Sequence, residues 1–132
     1  RYLECIHPEP NLFGSDPMEV AHIEMWYSRV SFELMMPLMH GFRHTHPHMS
    51  QMENQNNEFG IAQRELAVKS LKHYEDLITD KDYISCNRFT YADIQMVTSL
   101  QFLVRLNKIE ITDYPNLNSY INNIAERPSF SS

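Results

Sequence analysis

Four histidines crowd one short stretch of this 132-residue chain: His40, His44, His46 and His48. Imidazoles four apart on a helix, or close together in a loop, can ligate zinc. No cysteine joins them, and the polar run over 44–57 reads as a loop, which offers neither fixed geometry nor supporting hydrogen bonds. No resident metal is expected. A second grouping is Thr90 and Asp93, spaced as a Ser/Thr-x-x-acid capping box. The hydroxyl can accept from the Asp93 amide and the carboxylate from the Thr90 amide. Phe89 and Ile94 flank the box as a hydrophobic staple. The box opens a run, 94–106, too apolar for a surface helix, so Asp93 is expected to be buried. A lone buried carboxylate is costly, and capping satisfies it, so Asp93 is assigned to folding and not to catalysis. Neither a glycine-rich phosphate loop nor a nucleophile elbow is present.

These residues need helices to position them. Residues 8–16 read as a linker with two prolines, and Ser15 or Asp16 can cap a helix that has Pro17 in its first turn. The helix-period stripe Val20, Ile23, Trp26, Tyr27, Val30, Leu34 and Leu38 predicts one long helix over 17–42. Pro37 lies inside that pattern and predicts a kink at 33–37. A second helix is predicted over 58–79, with Ile61, Leu66, Val68, Leu71, Tyr74, Leu77 and Ile78 inward. The capped helix spans 90–107. A last helix starts at Pro115, turns Leu117, Tyr120, Ile121 and Ile124 inward, and closes at Arg127-Pro128. No segment alternates at period two, so no sheet is expected and the fold class is all-α.

The length fits one domain with one core. The net charge is -6 with no sustained basic run, which argues against nucleic acid as the main ligand. The longest strongly apolar stretch, 30–39, is too short and too polar to span a membrane. Cys5 and Cys86 do not form a disulfide framework and are read as reduced, with a cytoplasmic location. Residues 1–4 look like the last turn of a helix stopped by Pro8 and Pro10. The expected division is a tail of a preceding domain plus linker over 1–16, and a helical domain over 17–132.

Arg-Phe-Thr-Tyr-Ala-Asp-Ile at 88–94, preceded by Tyr83-Ile84-Ser85-Cys86-Asn87, closely resembles the carboxy-terminal domain of cytosolic glutathione transferases. Glu24-Met25-Trp26, Leu12-Phe13-Gly14-Ser15-Asp16-Pro17 and the final Arg127-Pro128-Ser129 extend the likeness over nearly the whole chain. Many members have Gly at the place of Cys86. If that turn needs a positive φ, Cys86 carries a cost there.

The resemblance implies an enzyme that uses glutathione as co-substrate, with no other cofactor, on a small electrophile. The thioredoxin-like domain that activates the thiol in the family is not in this chain, so no catalytic residue is assigned. The first long helix and the central helix make one wall of the electrophile site in the family. Tyr27, Ser31, Met35 and Met39, at steps of four, are placed to line that wall or else to pack in the core. Flexible, polarizable methionines suit a promiscuous apolar pocket, and the Tyr27 phenol can donate a hydrogen bond. Arg29 is a candidate contact to a glutathione carboxylate, or a solvated helix arginine. The family is usually dimeric, which predicts apolar outer faces at Met25, Phe32, Met36, Phe59 and Ile61. The competing readings are a non-catalytic interaction module, as such domains serve in translation factors, and a histidine-rich metal-binding domain.

Overall fold

With helical periodicity throughout, the chain can bury its apolar area only by packing helix on helix. A computed structural model describes residues 1–130, and the expected domain limit at 132 lies outside the described residues. The helices are α1 (Tyr2–Ile6), α2 (Pro17–Val30), α3 (Met36–Thr45), α4 (Asn57–Leu77), α5 (Tyr91–Arg105) and α6 (Pro115–Ala125). Among the described residues there is no strand, and the fold is all-α as the sequence predicts. No helix among them is long and apolar enough to cross a membrane.

α2 and α3 form one rod joined by a π turn, Ser31–Met35. Asp16 caps its start, accepting from the Met18 and Glu19 amides at 2.8 and 3.0 Å. The π turn replaces the simple kink expected at 33–37. Pro37 has no N–H for the Glu33 carbonyl and its ring crowds that oxygen, so the backbone widens. The Met36 amide donates five residues back, to the Ser31 carbonyl. The rod also runs three residues beyond the expected limit at 42. His44 and Thr45 are helical rather than looped, and the Thr45 hydroxyl donates to the Gly41 carbonyl at 2.7 Å.

α5 lies at the centre. Met96, Val97, Leu100 and Leu103 share one buried core with Ile23, Val30, Leu34 and Leu38 of the rod, Leu71 and Tyr74 of α4, and Leu117, Tyr120 and Ile124 of α6. Each such aliphatic side chain contributes about 1.5–3 kcal/mol of burial. The inner face of α4 differs from the expected one. Leu66 is exposed at 50%, and Ile61, which the sequence offers both to the inner face and to an apolar outer face, is exposed at 46%, while Gly60 and Ala67 are buried. α3 and α4 approach so closely that a Cβ on Gly60 would meet Thr45 Cγ2 at 2.7 Å and His44 Cβ at 2.9 Å. A seam that tight selects small residues, which a search for large apolar ones passes over.

Three carboxylates tie the elements together. Asp93 is fully buried and completes the capping box with Thr90. Its Oδ2 accepts from the Thr90 amide and hydroxyl at 2.8 and 2.9 Å, and its Oδ1 from the Ile84 amide and the Tyr120 hydroxyl at 2.9 and 2.6 Å. Burial pushes this carboxyl above the usual range, and the bonds from Tyr120, Ile84 and Thr90 pull against it. Glu75 of α4 accepts from the Asn116 and Leu117 amides, both at 2.9 Å, and so caps α6 from another helix. Glu4 of α1 accepts from the Leu12 amide at 2.6 Å and fastens the linker. Arg88 then binds Glu19 at 2.9 Å, and its guanidinium also donates to Asn11. The loop before the box holds Cys86 at φ +59° and Asn87 at φ +48°, so the cost foreseen for cysteine in a positive-φ turn is present.

Asp93→Ala strips one buried carboxylate from four donors and should lower stability by about 3 kcal/mol or more, above the range of ordinary caps. Tyr120→Phe, which loses one of the four, should cost about 1–2 kcal/mol. Urea unfolding measures both. The Arg88 bond and the Ser15 amide and hydroxyl lower Glu19 from 4.5 to about 2. Its contribution is therefore full above pH 4.5 and is lost as pH falls towards about 2. Arg88→Ala should shrink this part of the acid-unfolding limb, as seen in urea midpoints taken across that window.

Candidate functional site

A four-residue step on an α-helix overshoots a full turn by about 40°, so a stripe at steps of four normally winds off one face. The π turn between Ser31 and Met35 has more residues per turn and reduces that drift. Tyr27, Ser31, Met35 and Met39 are all half-buried along the rod, neither absorbed into the core nor free in solvent. The Ser31 hydroxyl donates to the Tyr27 carbonyl at 2.8 Å, so it is held by its own helix.

Tyr27 is set by aromatic packing. Its ring stacks on Tyr91 at 4.3 Å with an 18° tilt, and Tyr91 in turn meets Phe13 of the linker at 4.7 Å. The Tyr91 amide donates to the Leu12 carbonyl at 3.0 Å, which pins the linker across the start of α5. The neighbouring Tyr27 phenol, with burial behind it, raises the Tyr91 pKa above 10.0. Tyr91 and Phe13 are site neighbours that the sequence reading missed as such. The available signal was the position of Tyr91 just inside the capping box.

Arg29 is not brought together with the stripe. Tyr27 faces α5, whereas Arg29 faces α4. Its Nε donates to Glu33 Oε1 at 3.0 Å, its Nη2 lies 3.0 Å from His73 Nε2, and its guanidinium covers Trp26 at 4.8 Å. The Tyr74 hydroxyl donates to the other Glu33 oxygen at 2.9 Å. Burial works to raise Glu33, but Arg29 and Tyr74 outweigh it and leave the carboxyl below its usual range. Burial first, and then Glu33, push the Tyr74 phenol upward.

The histidines are spent on local structure. His40 and His44 flank the Phe59 ring at 5.6 and 5.1 Å. His44 Nδ1 accepts from the Asn56 amide at 3.2 Å, and His46 Nδ1 from the His48 amide at 3.3 Å. Among the described residues no group of three or more His, Cys, Asp or Glu is arranged to hold a metal ion.

Known proteins share this architecture. The family model for the glutathione S-transferase C-terminal domain matches residues 30–128. The chain belongs to that family. Glutathione S-transferase 2 of Saccharomyces cerevisiae is 27% identical, and the match covers 97% of this chain and 56% of that protein. A probable elongation factor 1-gamma 1 of Arabidopsis thaliana is 26% identical over 99% of this chain and 31% of its own length. The chain thus spans about half, or less, of the curated relatives it matches. The crystal structure of Gtt2 from Saccharomyces cerevisiae superposes with a TM-score of 0.87 at 25% identity, over 98% of this chain and 63% of that one.

In a spectrophotometric titration, Tyr91 should ionise above 10.0, and Tyr27→Phe should bring it down towards that value while burial holds back part of the shift. An unchanged Tyr91 titration in Tyr27→Phe would break the link between the two rings.

Proposed function

We propose that this chain is the C-terminal half of a glutathione S-transferase, and that Tyr27, Ser31, Met35 and Met39 form one wall of its electrophile site. The observation that carries this reading is the half-buried stripe, kept to one side by the π turn and anchored by the Tyr27–Tyr91 stack, in a chain of this family. Glutathione is the co-substrate, its thiolate attacking a small electrophile or acting in a reductive or isomerising step. The domain that activates the thiol would be a separate thioredoxin-like domain joined through the linker at 1–16. This chain's part is to hold the electrophile and exclude water, so that two reactants meet in a fixed orientation. Arg29 could serve a glutathione carboxylate only by leaving Glu33. The location that goes with this reading is the cytoplasm.

A homodimer fits the same reading. Met25, Phe32, Met36, Phe59 and Ile61 are exposed at 43%, 72%, 42%, 39% and 46%. Apolar side chains in that number on one rod and the start of its neighbour call for a partner. Sedimentation across a concentration series should show self-association, and a strict monomer at high micromolar concentration would oppose it.

The 132-residue chain alone should not conjugate glutathione to 1-chloro-2,4-dinitrobenzene. In the intact protein, Tyr27→Phe and Met35→Ala should change the ratio of kcat/KM between two electrophiles by roughly 3- to 10-fold, the scale of one lost neutral hydrogen bond or packing contact, with the KM for glutathione nearly unchanged. The elongation-factor relative favours a second reading as a non-catalytic interaction module. An intact protein that turns over no electrophile, and whose Tyr27→Phe variant behaves as wild type, would move the assignment there.

A further inference from the structure

Two phenylalanines and four imidazoles gather where the rod gives way to α4. His40 and His44 lie beside Phe59, at 5.6 and 5.1 Å, while Phe42 stacks on His46 at 4.5 Å and His46 meets His48 edge to face at 5.1 Å. The segment that passes among these rings, residues 46–56, joins α3 to α4. Two amides of this segment donate to imidazole nitrogens. At its start the His48 amide donates to His46 Nδ1 at 3.3 Å, and at its end the Asn56 amide donates to His44 Nδ1 at 3.2 Å. Asn56 in turn caps α4, its side chain accepting from the Phe59 amide at 3.0 Å. An imidazole nitrogen accepts only while it carries no proton. Both bonds therefore need the neutral ring, and a proton on Nδ1 sets one donor against another.

The other ties of the segment do not depend on imidazole. Gln55 Nε2 donates to the Arg43 and His46 carbonyls, both at 2.9 Å, and Arg43 pairs with Glu53. The charged and titratable groups around the two histidines come from every element there. α3 brings His40 and Arg43, the segment itself His48 and Glu53, and α4 brings Glu58 in its first turn and Arg64 beside Gly41. α5, which meets Phe42 through Phe102, carries Arg105 in its last turn. Arginines outnumber glutamates in this set, which discourages an added positive charge. The C-terminal end of α3 draws a cation and the start of α4 repels one, so the helix ends oppose each other and the lost acceptors decide.

We infer that residues 46–56 form an acid-released strap. Neutral His44 and His46 hold its two ends, and their protonation loosens the segment and the cap of α4 while the helices stay packed. Imidazole ordinarily changes charge between about pH 5 and 8, a range in which carboxylates ordinarily stay ionised, so the response belongs to the histidines. The inference does not rest on the transferase reading, since it uses neither glutathione nor the half-buried stripe. Amide hydrogen exchange followed by NMR on the purified protein, corrected for the pH dependence of intrinsic exchange, tests it. Protection of the His48 and Asn56 amides should fall about 10-fold or more from about pH 8 to about pH 5.5, the scale of one lost hydrogen bond, with the Leu100 amide of α5 unchanged. Asparagine places an acceptor oxygen where Nδ1 stood and does not titrate. His44→Asn combined with His46→Asn should therefore abolish the pH response, while His40→Asn combined with His48→Asn should leave it in place. If the first double variant fails to fold, the imidazole nitrogen shifts of the wild type decide, because protonation of His44 and His46 must coincide with the loss of protection. Protection that does not change with pH, a response that survives the first double variant or vanishes in the second, or protonation that leaves protection intact would overturn the inference.

Discussion

The buried Asp93 carboxylate is the interaction on which the rest depends. Four donors converge on it from three places: the loop at Ile84, the start of α5 at Thr90, and Tyr120 of α6. α5 packs against α2, the π turn, α3 and α6, and Thr90, Ala92 and Asp93 at its start are buried. Its orphan amides and the charge that answers them must be satisfied inside the protein. Fixing α5 in this way fixes Tyr91, and Tyr91 sets both the Tyr27 ring and the path of the linker. A folding device thus reaches the candidate site through two aromatic rings.

Glu75 applies the same physics in another way. α6 begins at Tyr114-Pro115 with no side-chain cap of its own, and the carboxylate comes from α4. Negative charge at a helix start is favourable wherever it comes from, because the exposed amides and the helix dipole act on it alike. The two capped starts divide the labour. Asp93 joins α5 to the loop before it and to α6, while Glu75 joins α6 to α4. Glu19 and Arg88 do the same for the linker at the surface, where the pair is open to solvent and subject to acid.

The π turn shows how one residue redirects a surface. Pro37 leaves the Glu33 carbonyl without its helical donor, and the wider turn that results shifts every later side chain around the rod. Glu33 itself is put to use, since its carboxylate takes the Arg29 guanidinium and the hydroxyl of the buried Tyr74. The same turn that moves Met35 and Met39 therefore also bonds the rod to α4. Arg29 is drawn away from the stripe by that bond.

The sequence by itself determined the elements whose signals are local. The capping box, the proline starts of α2 and α6 and the all-α class all rest on residues within a turn or two of one another, where backbone sterics and hydrogen-bond geometry leave little choice. The strain at Cys86 entered only as a condition set by the resemblance, and the observed φ of +59° decided it. The order of these motifs was also enough to read the family. Only the tertiary structure decided what depends on distant partners. The inward face of α4 was misread at Leu66 because close helix approach rewards Gly60 and Ala67, and that reward exists only once α3 is in place. The Glu75 cap, the pairing of Arg29 with Glu33, His73 and Trp26, and the Tyr27–Tyr91–Phe13 stack join elements that the chain pattern does not relate. Periodicity reports which side of a helix is apolar. It carries no information about which polar or aromatic group will arrive from another helix to meet it.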